Sequence, residues 1–170
     1  TYGDWSSDVV LFRSRRAAKM VLLDDHHPDI EEFIWCKAKE ERKARALAEA
    51  GFDMSLNGAD IHSIQFQNAN NSVRVTDAFM RSAAEDMSWD LTSVTTGNPI
   101  REVQARELLH QIAAAAHECA DPGVQYDTTI NDWHTCAGTD RINASNPCSE
   151  YMFLDDTACN LSSINLTKFL

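Results

Sequence analysis

The chain has 170 residues, of which 44% are hydrophobic and 24% charged, a composition typical of a folded domain rather than a disordered segment. Its 15 basic and 26 acidic residues give a net charge of -11, which disfavours binding to nucleic acid or to an anionic membrane surface. No apolar run approaches the roughly 20 residues of a membrane span, and no basic and then apolar leader is visible, so we expect a soluble, cytoplasmic protein.

Strand and helix patterns alternate along the chain. Helices are predicted at residues 28–50, 77–87 and 100–119, strands at 72–76 and 91–96, and a short apolar run at 9–12 could end a further strand. Pro28 and the acids after it start the first helix, and Gly51 stops it. The turn at residues 97–99 opens the third helix, whose apolar stripe comprises Val103, Leu108, Leu109, Ile112 and Ala116. This alternation predicts an α/β fold.

The first predicted helix carries the one locally basic stretch. Its cations at 37, 39, 42, 43 and 45 are interleaved with Glu40 and Glu41. Opposite charges at this spacing are typical of a solvated helix face, and we favour that interpretation over a phosphate-binding patch.

The cysteines do not fit a secreted disulfide framework. They are Cys36, Cys119, Cys136, Cys148 and Cys159, an odd number without a Cys-x-x-Cys pair. His134 and Cys136 lack a second pair at zinc-finger spacing, so no metal site is predicted.

Residues 143–151 bring together an amide, a thiol and a carboxylate. In an extended chain alternate side chains point the same way, so Asn146, Cys148 and Glu150 are expected to converge on one side. Pro147 favours extended geometry at Asn146. Such a trio can hold a hydroxylated substrate, take a hydrogen or proton from it and accept a proton.

Two other interpretations of Cys148 stay open from the residues alone. The spacing by itself favours a structural one, in which Cys148 is a small buried side chain in a turn while Asn146 and Glu150 satisfy backbone donors. The other is a cysteine nucleophile with a histidine partner, for which His117 and His134 are available.

Several longer strings resemble one family, in order and spacing, from about residue 13 to residue 170. They are Arg-Arg-Ala-Ala-Lys-Met at 15–20, His-Pro-Asp-Ile-Glu-Glu-Phe-Ile at 27–34, Asn-Asn-Ser-Val-Arg-Val-Thr-Asp at 70–77 with Phe79 and Met80, Asp-Pro-Gly at 121–123 with Tyr-Asp-Thr-Thr-Ile-Asn at 126–131, Asn-Pro-Cys-Ser-Glu-Tyr at 146–151, and Ala-Cys-Asn-Leu at 158–161. The chain resembles a fragment of the catalytic subunit of an adenosylcobalamin-dependent (class II) ribonucleotide reductase. The expected fold is α/β, part of a ten-stranded α/β barrel that is incomplete in this chain, with residues 1–12 as an unplaced segment and residues 13–170 as the partial barrel domain.

The resemblance implies radical reduction of a ribonucleotide to the 2′-deoxyribonucleotide. It gives Cys148, on a finger loop, the role of the thiyl radical that abstracts the 3′-hydrogen, while Glu150 takes the 3′-hydroxyl proton and Asn146 hydrogen-bonds the sugar hydroxyls. Cys159 is half of the dithiol that reduces the intermediate as the 2′-hydroxyl leaves as water. The residues expected in the substrate and effector loop are Arg15, Arg16, Asn71 and Ser72.

The resemblance also implies adenosylcobalamin as cofactor, with a site mostly outside this chain. Expected partners are a ribonucleotide, nucleotide effectors and a thioredoxin-type or glutaredoxin-type reductant, with neither nucleic acid nor membrane. Diphosphate and triphosphate substrates both stay open, as do a monomeric and a homodimeric parent enzyme.

The chain departs from the family in two ways. Residues 12–14 read Phe-Arg-Ser where the family has Gly-Gly-Thr, in the loop that links the effector site to the substrate base. The second redox cysteine is expected upstream of this chain and the re-reducing cysteine pair beyond Leu170, so we expect the fragment alone to be inactive. Cys36 and Cys119 match no family motif and are interpreted as helix-packing thiols.

Two alternatives to this function stay open. A reductase with a separate metal-containing radical subunit would share the thiyl, amide and carboxylate chemistry, and cobalamin dependence would separate the two. A non-catalytic binding or regulatory protein derived from reductase sequence is the other, favoured if the full-length protein lacked the upstream redox cysteine.

Overall fold

The structure, a computed structural model, describes residues 18–55 and 57–169. The apolar run at 9–12, the Phe-Arg-Ser sequence at 12–14, Arg15 and Arg16 lie outside these described residues, and what was predicted for them stays a prediction. Within the described ranges, no helix has the length and apolar character needed to cross a membrane.

Strands and helices alternate as the sequence predicts, but the strands at 19–24 and 123–126 and the helix at 127–132 were not predicted, and the strand predicted at 91–96 lies at 88–92. In chain order they are β1 (Lys19–Asp24), α1 (Ile30–Glu49), β2 (Ala69–Val75), α2 (Asp77–Ala84), β3 (Ser88–Thr92), β4 (Pro99–Gln104), α3 (Ala105–Cys119), β5 (Gly123–Tyr126) and α4 (Asp127–Asp132), with short 3-10 helices at Ile61–Ser63 and Leu166–Lys168. The α/β class is confirmed.

A parallel three-stranded sheet lies at the centre, in the order β1-β2-β5. Because β2 has a neighbour on each side and is covered on both faces, its residues 71–75 are all buried. The described strands form this open sheet and a separate two-stranded hairpin of β3 and β4. Closure into a barrel of ten strands is not seen in them and stays a prediction.

Helix α1 follows its prediction closely. It begins two residues after Pro28 and ends before Gly51, whose φ of 96° is a conformation that a side chain would strain. The buried residues Ile30, Ile34 and Ala38 all lie in its N-terminal half, where the apolar stripe was predicted.

Carboxylates match the basic stretch of α1, and its cations at 39, 42, 43 and 45 are exposed as predicted for a solvated face, whereas Lys37 is half-buried. Arg42 forms a two-pronged ion pair with Glu118 on α3, with both nitrogen–oxygen distances 2.6 Å. Lys37 contacts the Asp121 carboxylate and so ties α1 to the start of β5. Two further pairs within α1 join Lys43 to Glu40 and Arg45 to Glu41.

The prediction of a third helix starting at Ile100 is wrong over its first five residues, because residues 100–104 belong to β4. This strand pairs antiparallel with β3, with Trp89 opposite Val103, and the helix begins at Ala105. The ladder with β3 supplies hydrogen bonds and cross-strand contacts that a first helical turn would lack. Val103 therefore packs on the core from a strand.

The core fills the space between the sheet, helices α1, α2 and α3, and the hairpin. Its buried members include Ile30, Ile34, Val73, Val75, Phe79, Leu91, Leu108 and Ile112. The Phe79 and Trp89 rings meet edge to face at 5.4 Å, which joins α2 to β3. Beyond α4, residues 133–165 contain no helix or strand.

Candidate active site at the Cys148 turn

Cys148 lies at the tip of a closed turn. The Ser149 amide donates to the Asn146 carbonyl at 3.0 Å, the Asn146 amide to the Tyr151 carbonyl at 3.2 Å, and the Tyr151 amide to Asn146 Oδ1 at 3.1 Å. Ser149 has a φ of 62°, in the left-handed region that reverses a chain. The prediction of a continuous extended segment over these residues is therefore wrong, because the chain turns at residues 147–149.

The turn leaves the thiol and the carboxylate accessible. Cys148 and Glu150 are exposed, and Asn146 is half-buried. This exposure contradicts the interpretation of Cys148 as a small buried side chain. Asn146 does satisfy a backbone donor through Oδ1, but its amide nitrogen has no partner among the described residues and can donate to a ligand hydroxyl.

Accessibility separates the five cysteines into two groups. Cys148 and Cys159 are exposed, whereas Cys36, Cys119 and Cys136 are half-buried, and all five are free thiols. The two thiols predicted to react are therefore the accessible ones, and access is a requirement for thiol chemistry on a substrate.

Cys36 and Cys119 sit where two helices meet neighbouring backbone. Asn71 Nδ2 donates to Cys36 Sγ at 3.3 Å, and burial raises the pKa of the Cys36 thiol. Cys119 Sγ donates to the Asp121 carbonyl at 3.3 Å. A thiol held protonated against the sheet is a poor nucleophile, which supports the packing interpretation of Cys36.

The Cys148 turn is attached to the sheet by polar side chains that the sequence analysis missed. Asn70 on β2 donates to the Pro147 carbonyl at 2.9 Å. Gln125 on β5 donates to Ser145 Oγ at 2.7 Å and to Ser149 Oγ at 3.1 Å. The sequence signal that could have identified them is a polar residue within a strand of a buried sheet. Such a side chain needs a hydrogen-bond partner, and its presence therefore indicates a polar attachment.

Arg74, also on β2, lies behind Gln125 and is 1% exposed. Its Nη1 donates to Gln125 Oε1 at 3.1 Å, its Nε to Asp127 Oδ1 at 3.0 Å, and its Nη2 to the Ile142 carbonyl at 2.5 Å. Asp127 also accepts two hydrogen bonds from Arg141, at 2.6 and 2.7 Å. The guanidinium thus links two strands to the chain that leads into the turn.

The residues predicted for the substrate and effector loop are placed differently. Asn71 and Ser72 lie within β2 and are each 5% exposed, so their placement in a loop is wrong. Contact of either residue with a nucleotide stays a prediction, as does any role of Arg15 and Arg16, which lie outside the described residues.

A cysteine–histidine nucleophile finds no support in the described part of the chain. His134 Nε2 lies 3.0 Å from the Asp140 carbonyl, and its ring meets Phe153 edge to face at 5.6 Å. His117 is exposed on the last turn of α3. Neither imidazole hydrogen-bonds to Cys148. Across residues 18–55 and 57–169, no group of three His, Cys, Asp or Glu side chains is placed to hold a metal ion.

The best-formed cavity of the described residues lies beside the Cys148 turn and does not include it. It has a volume of about 370 Å³ and is lined by Ile130, Trp133, His134, Met152 and Phe153, among others. This volume is near the lower end of the roughly 300–1,000 Å³ of small-molecule pockets, so the larger corrin ring of a cobalamin does not fit there.

Fold and site together define a class of protein: an α/β chain that presents an exposed thiol, an amide and a carboxylate on one turn anchored to a parallel sheet. Residues 12–170 match the family described as "Ribonucleotide reductase, barrel domain", and the chain belongs to this family.

Named relatives agree with the family. The chain is 63% identical over 157 residues to a vitamin B12-dependent ribonucleotide reductase of Streptomyces avermitilis and 56% identical over 161 residues to one of Rhodopirellula baltica. A vitamin B12-dependent ribonucleoside-diphosphate reductase of Mycobacterium tuberculosis is 35% identical over 156 residues. These matches cover 92%, 93% and 92% of this chain, but only 16%, 15% and 19% of the three relatives. The resemblance seen in the sequence is confirmed.

Proposed function

We propose that this chain forms the thiol-bearing part of the active site of a vitamin B12-dependent ribonucleotide reductase. The observation that carries the proposal is the exposed Cys148 thiol, on one anchored turn with Asn146 and Glu150, in a chain whose relatives bear that name. The names also favour cobalamin over a separate metal-containing radical subunit. An exposed thiol and an unpartnered amide nitrogen favour catalysis over a purely regulatory role.

In the proposed reaction, a ribonucleotide and a dithiol give a 2′-deoxyribonucleotide, a disulfide and water. Cys148, as a thiyl radical, takes the hydrogen atom from C3′ and becomes a thiol, while Glu150 accepts the proton of the 3′-hydroxyl. Asn146 donates from its amide nitrogen to a sugar hydroxyl.

The second half of the reaction consumes the dithiol, one thiol of which is Cys159. One of its hydrogens leaves with the 2′-hydroxyl as water and the other is delivered to C2′, and its two electrons are balanced by formation of the disulfide. Glu150 returns its proton to the 3′-oxygen, and Cys148 returns its hydrogen atom to C3′, which restores the thiyl radical.

The cofactor and the partners are part of the proposal. A cobalamin in its adenosyl form, held mainly by segments outside this chain, supplies the radical when bound. This chain would contribute the exposed Cys148 thiol, on which the radical would be formed. A ten-stranded barrel, nucleotide effectors and a thioredoxin-type or glutaredoxin-type reductant complete the proposed enzyme, with either a diphosphate or a triphosphate substrate.

A chimera tests the proposal. This chain replaces the matching segment of the Streptomyces avermitilis relative, and both deoxyribonucleotide formation and exchange of the 3′-hydrogen are measured with adenosylcobalamin. Cys148→Ser should abolish both, because a serine O–H bond is too strong to replace the thiol as a hydrogen carrier. Cys159→Ser should keep the exchange but block reduction.

Cys119→Ser is the matched control, since this half-buried thiol lies at the end of α3, and it should keep both activities. An inactive wild-type chimera would contradict the proposed function. Equal loss of hydrogen exchange in Cys148→Ser and Cys159→Ser would show that the two thiol roles are assigned wrongly.

A further inference from the structure

We propose that Gln125, oriented by Arg74, is a positioning residue that fixes the turn carrying Cys148. The inference rests on the proposed function, because the consequence of a misplaced turn is read from the radical step. It concerns two residues of the sheet that form no hydrogen bond to the proposed catalytic side chains Cys148 and Glu150.

The direction of each hydrogen bond to Gln125 is determined by chemistry. A guanidinium can only donate, so the Gln125 oxygen must face Arg74, and the amide nitrogen must face the turn. The two hydrogens of that nitrogen are directed at Ser145 Oγ and Ser149 Oγ, at 2.7 and 3.1 Å. The two serines stand on either side of Cys148, so one side chain holds both ends of the turn.

Burial makes this attachment difficult to exchange for water. Gln125 is 3% exposed and Arg74 is 1% exposed. A buried donor that loses its acceptor is left unsatisfied, so the favoured arrangement is the one in which the turn stays in place. Ser145 extends the connection, since its hydroxyl donates to the Asn146 carbonyl at 2.8 Å.

Ser149 shows that the turn needs such support. Its φ of 62° is uncommon for a residue with a side chain, and it persists where the surroundings hold it in place. The Gln125 bond to Ser149 Oγ is a contact from the sheet to that residue.

The charges behind Gln125 explain which substitution it should tolerate. Arg74 and Arg141 share the single carboxylate of Asp127, so this group of three carries one net positive charge. A glutamate at position 125 would accept from Arg74, balance that charge, and accept from the Ser149 hydroxyl, which can rotate to donate, whereas the Ser145 hydroxyl already donates to the Asn146 carbonyl. A leucine there would have a similar size but would make none of these bonds.

Position matters because hydrogen transfer requires the two reacting atoms within about 3–3.5 Å of each other, and a shift of about 1 Å can cost roughly a hundredfold in rate. A turn that has lost its attachment should therefore lower kcat. KM should change little, since the turn is only one of the surfaces that a nucleotide would contact.

The experiment uses the chimera described above. Gln125→Leu should lower kcat at least about tenfold, with KM within about threefold of wild type, and should speed amide hydrogen exchange at residues 146–151. Gln125→Glu should restore kcat to within about threefold and restore slow amide exchange. Ile112→Val, a small core truncation on α3, is the control for general destabilisation and should affect neither readout.

The outcomes separate the two proposals. An active chimera in which Gln125→Leu matches wild type in kcat and amide exchange overturns the positioning role alone. Equal losses in Gln125→Leu and Ile112→Val, or failure of Gln125→Glu to restore activity, overturn it as well. A wild-type chimera that forms no deoxyribonucleotide overturns the proposed function, and the positioning role with it.

Discussion

Asp25 is a carboxylate without exposed surface, directly after β1. It accepts from the Thr76 amide at 2.6 Å, from Thr76 Oγ1 at 2.9 Å, and from His26 Nδ1 at 3.1 Å. Burial raises the pKa of Asp25 above its ordinary value, and the hydrogen bonds from Thr76 and His26 only partly oppose this. The carboxylate links the ends of β1 and β2 through these hydrogen bonds, but burial of its negative charge is unfavourable in free energy.

The raised pKa of Asp25 determines the direction in which its contribution to the free energy of unfolding changes with pH. Folding favours the protonated carboxyl, so the contribution of Asp25 is greatest below its unfolded pKa of about 3.9 and is lost as pH rises through the folded pKa. Asp25→Asn keeps an acceptor for Thr76 and removes the charge. The free energy of unfolding of Asp25→Asn minus that of wild type should therefore increase between pH 4 and pH 7.

Urea unfolding of the chain at low protein concentration, followed by tryptophan fluorescence, measures this difference. Asp90→Asn removes one negative charge from an exposed position on β3 and is the matched control. A difference that stays flat with pH, or that falls as pH rises, would refute the role given to burial.

At the scale of residues, the sequence predicted chemistry better than geometry. The types Asn146, Cys148 and Glu150 could be recognised from their spacing and from the longer strings around them. Their closed turn could not, because it depends on hydrogen bonds that reach from Tyr151 and from the distant Gln125. The hydrogen bonds from Gln125 join residues 20 and 24 positions apart, and no local pattern encodes them.

At the scale of elements, the bounds of a helix or strand could be predicted where residues next to its ends determine them. Helix α1 was predicted to within about two residues because Pro28 and Gly51 act on the backbone next to them. Strand β4 was taken as helix because its state depends on pairing with β3, which the residues of 100–104 do not reveal alone.

The hairpin of β3 and β4 has a buried and an open side. Leu91 on β3 has no exposed surface and belongs to the core, whereas Ile100 on β4 is 58% exposed. Leu91→Ala should lower the free energy of unfolding by about 2–5 kcal/mol, since it removes buried methyl groups and leaves a cavity. Ile100→Ala should change it by less than about 0.5 kcal/mol.

The same urea titration compares the two variants. Similar losses for Leu91→Ala and Ile100→Ala would mean that the hairpin is not packed on the core through β3. A loss confined to Leu91→Ala, with an unchanged slope of the unfolding free energy against urea, would support the packing described.

At the scale of the whole molecule, the described part exposes more apolar surface than a self-contained domain is expected to. Leu161, Ile164, Leu166 and Phe169 are 67% to 77% exposed in one segment. Strands β1 and β5 are the edges of the described sheet, each with a row of unpaired backbone groups. Contiguous apolar side chains and open sheet edges are features of surfaces that meet another part of a protein.

The isolated chain should therefore self-associate and should not reduce ribonucleotides. The three cysteines other than Cys148 and Cys159 are half-buried, which leaves Cys159 without an accessible partner for a redox dithiol. We expect no deoxyribonucleotide from the chain with adenosylcobalamin, dithiothreitol and ribonucleotide, whereas the chimera turns over under the same conditions.

Self-association is measured by sedimentation of the isolated chain across a dilution series, in which the average mass should rise with protein concentration. Joint replacement of Leu161, Ile164 and Phe169 by serine should reduce that rise without loss of helical circular dichroism, because α1, α2 and α3 do not depend on this segment. Turnover by the isolated chain would defeat the argument that the site is incomplete within it, and a monomer at every concentration would show that the exposed segment is not a contact surface.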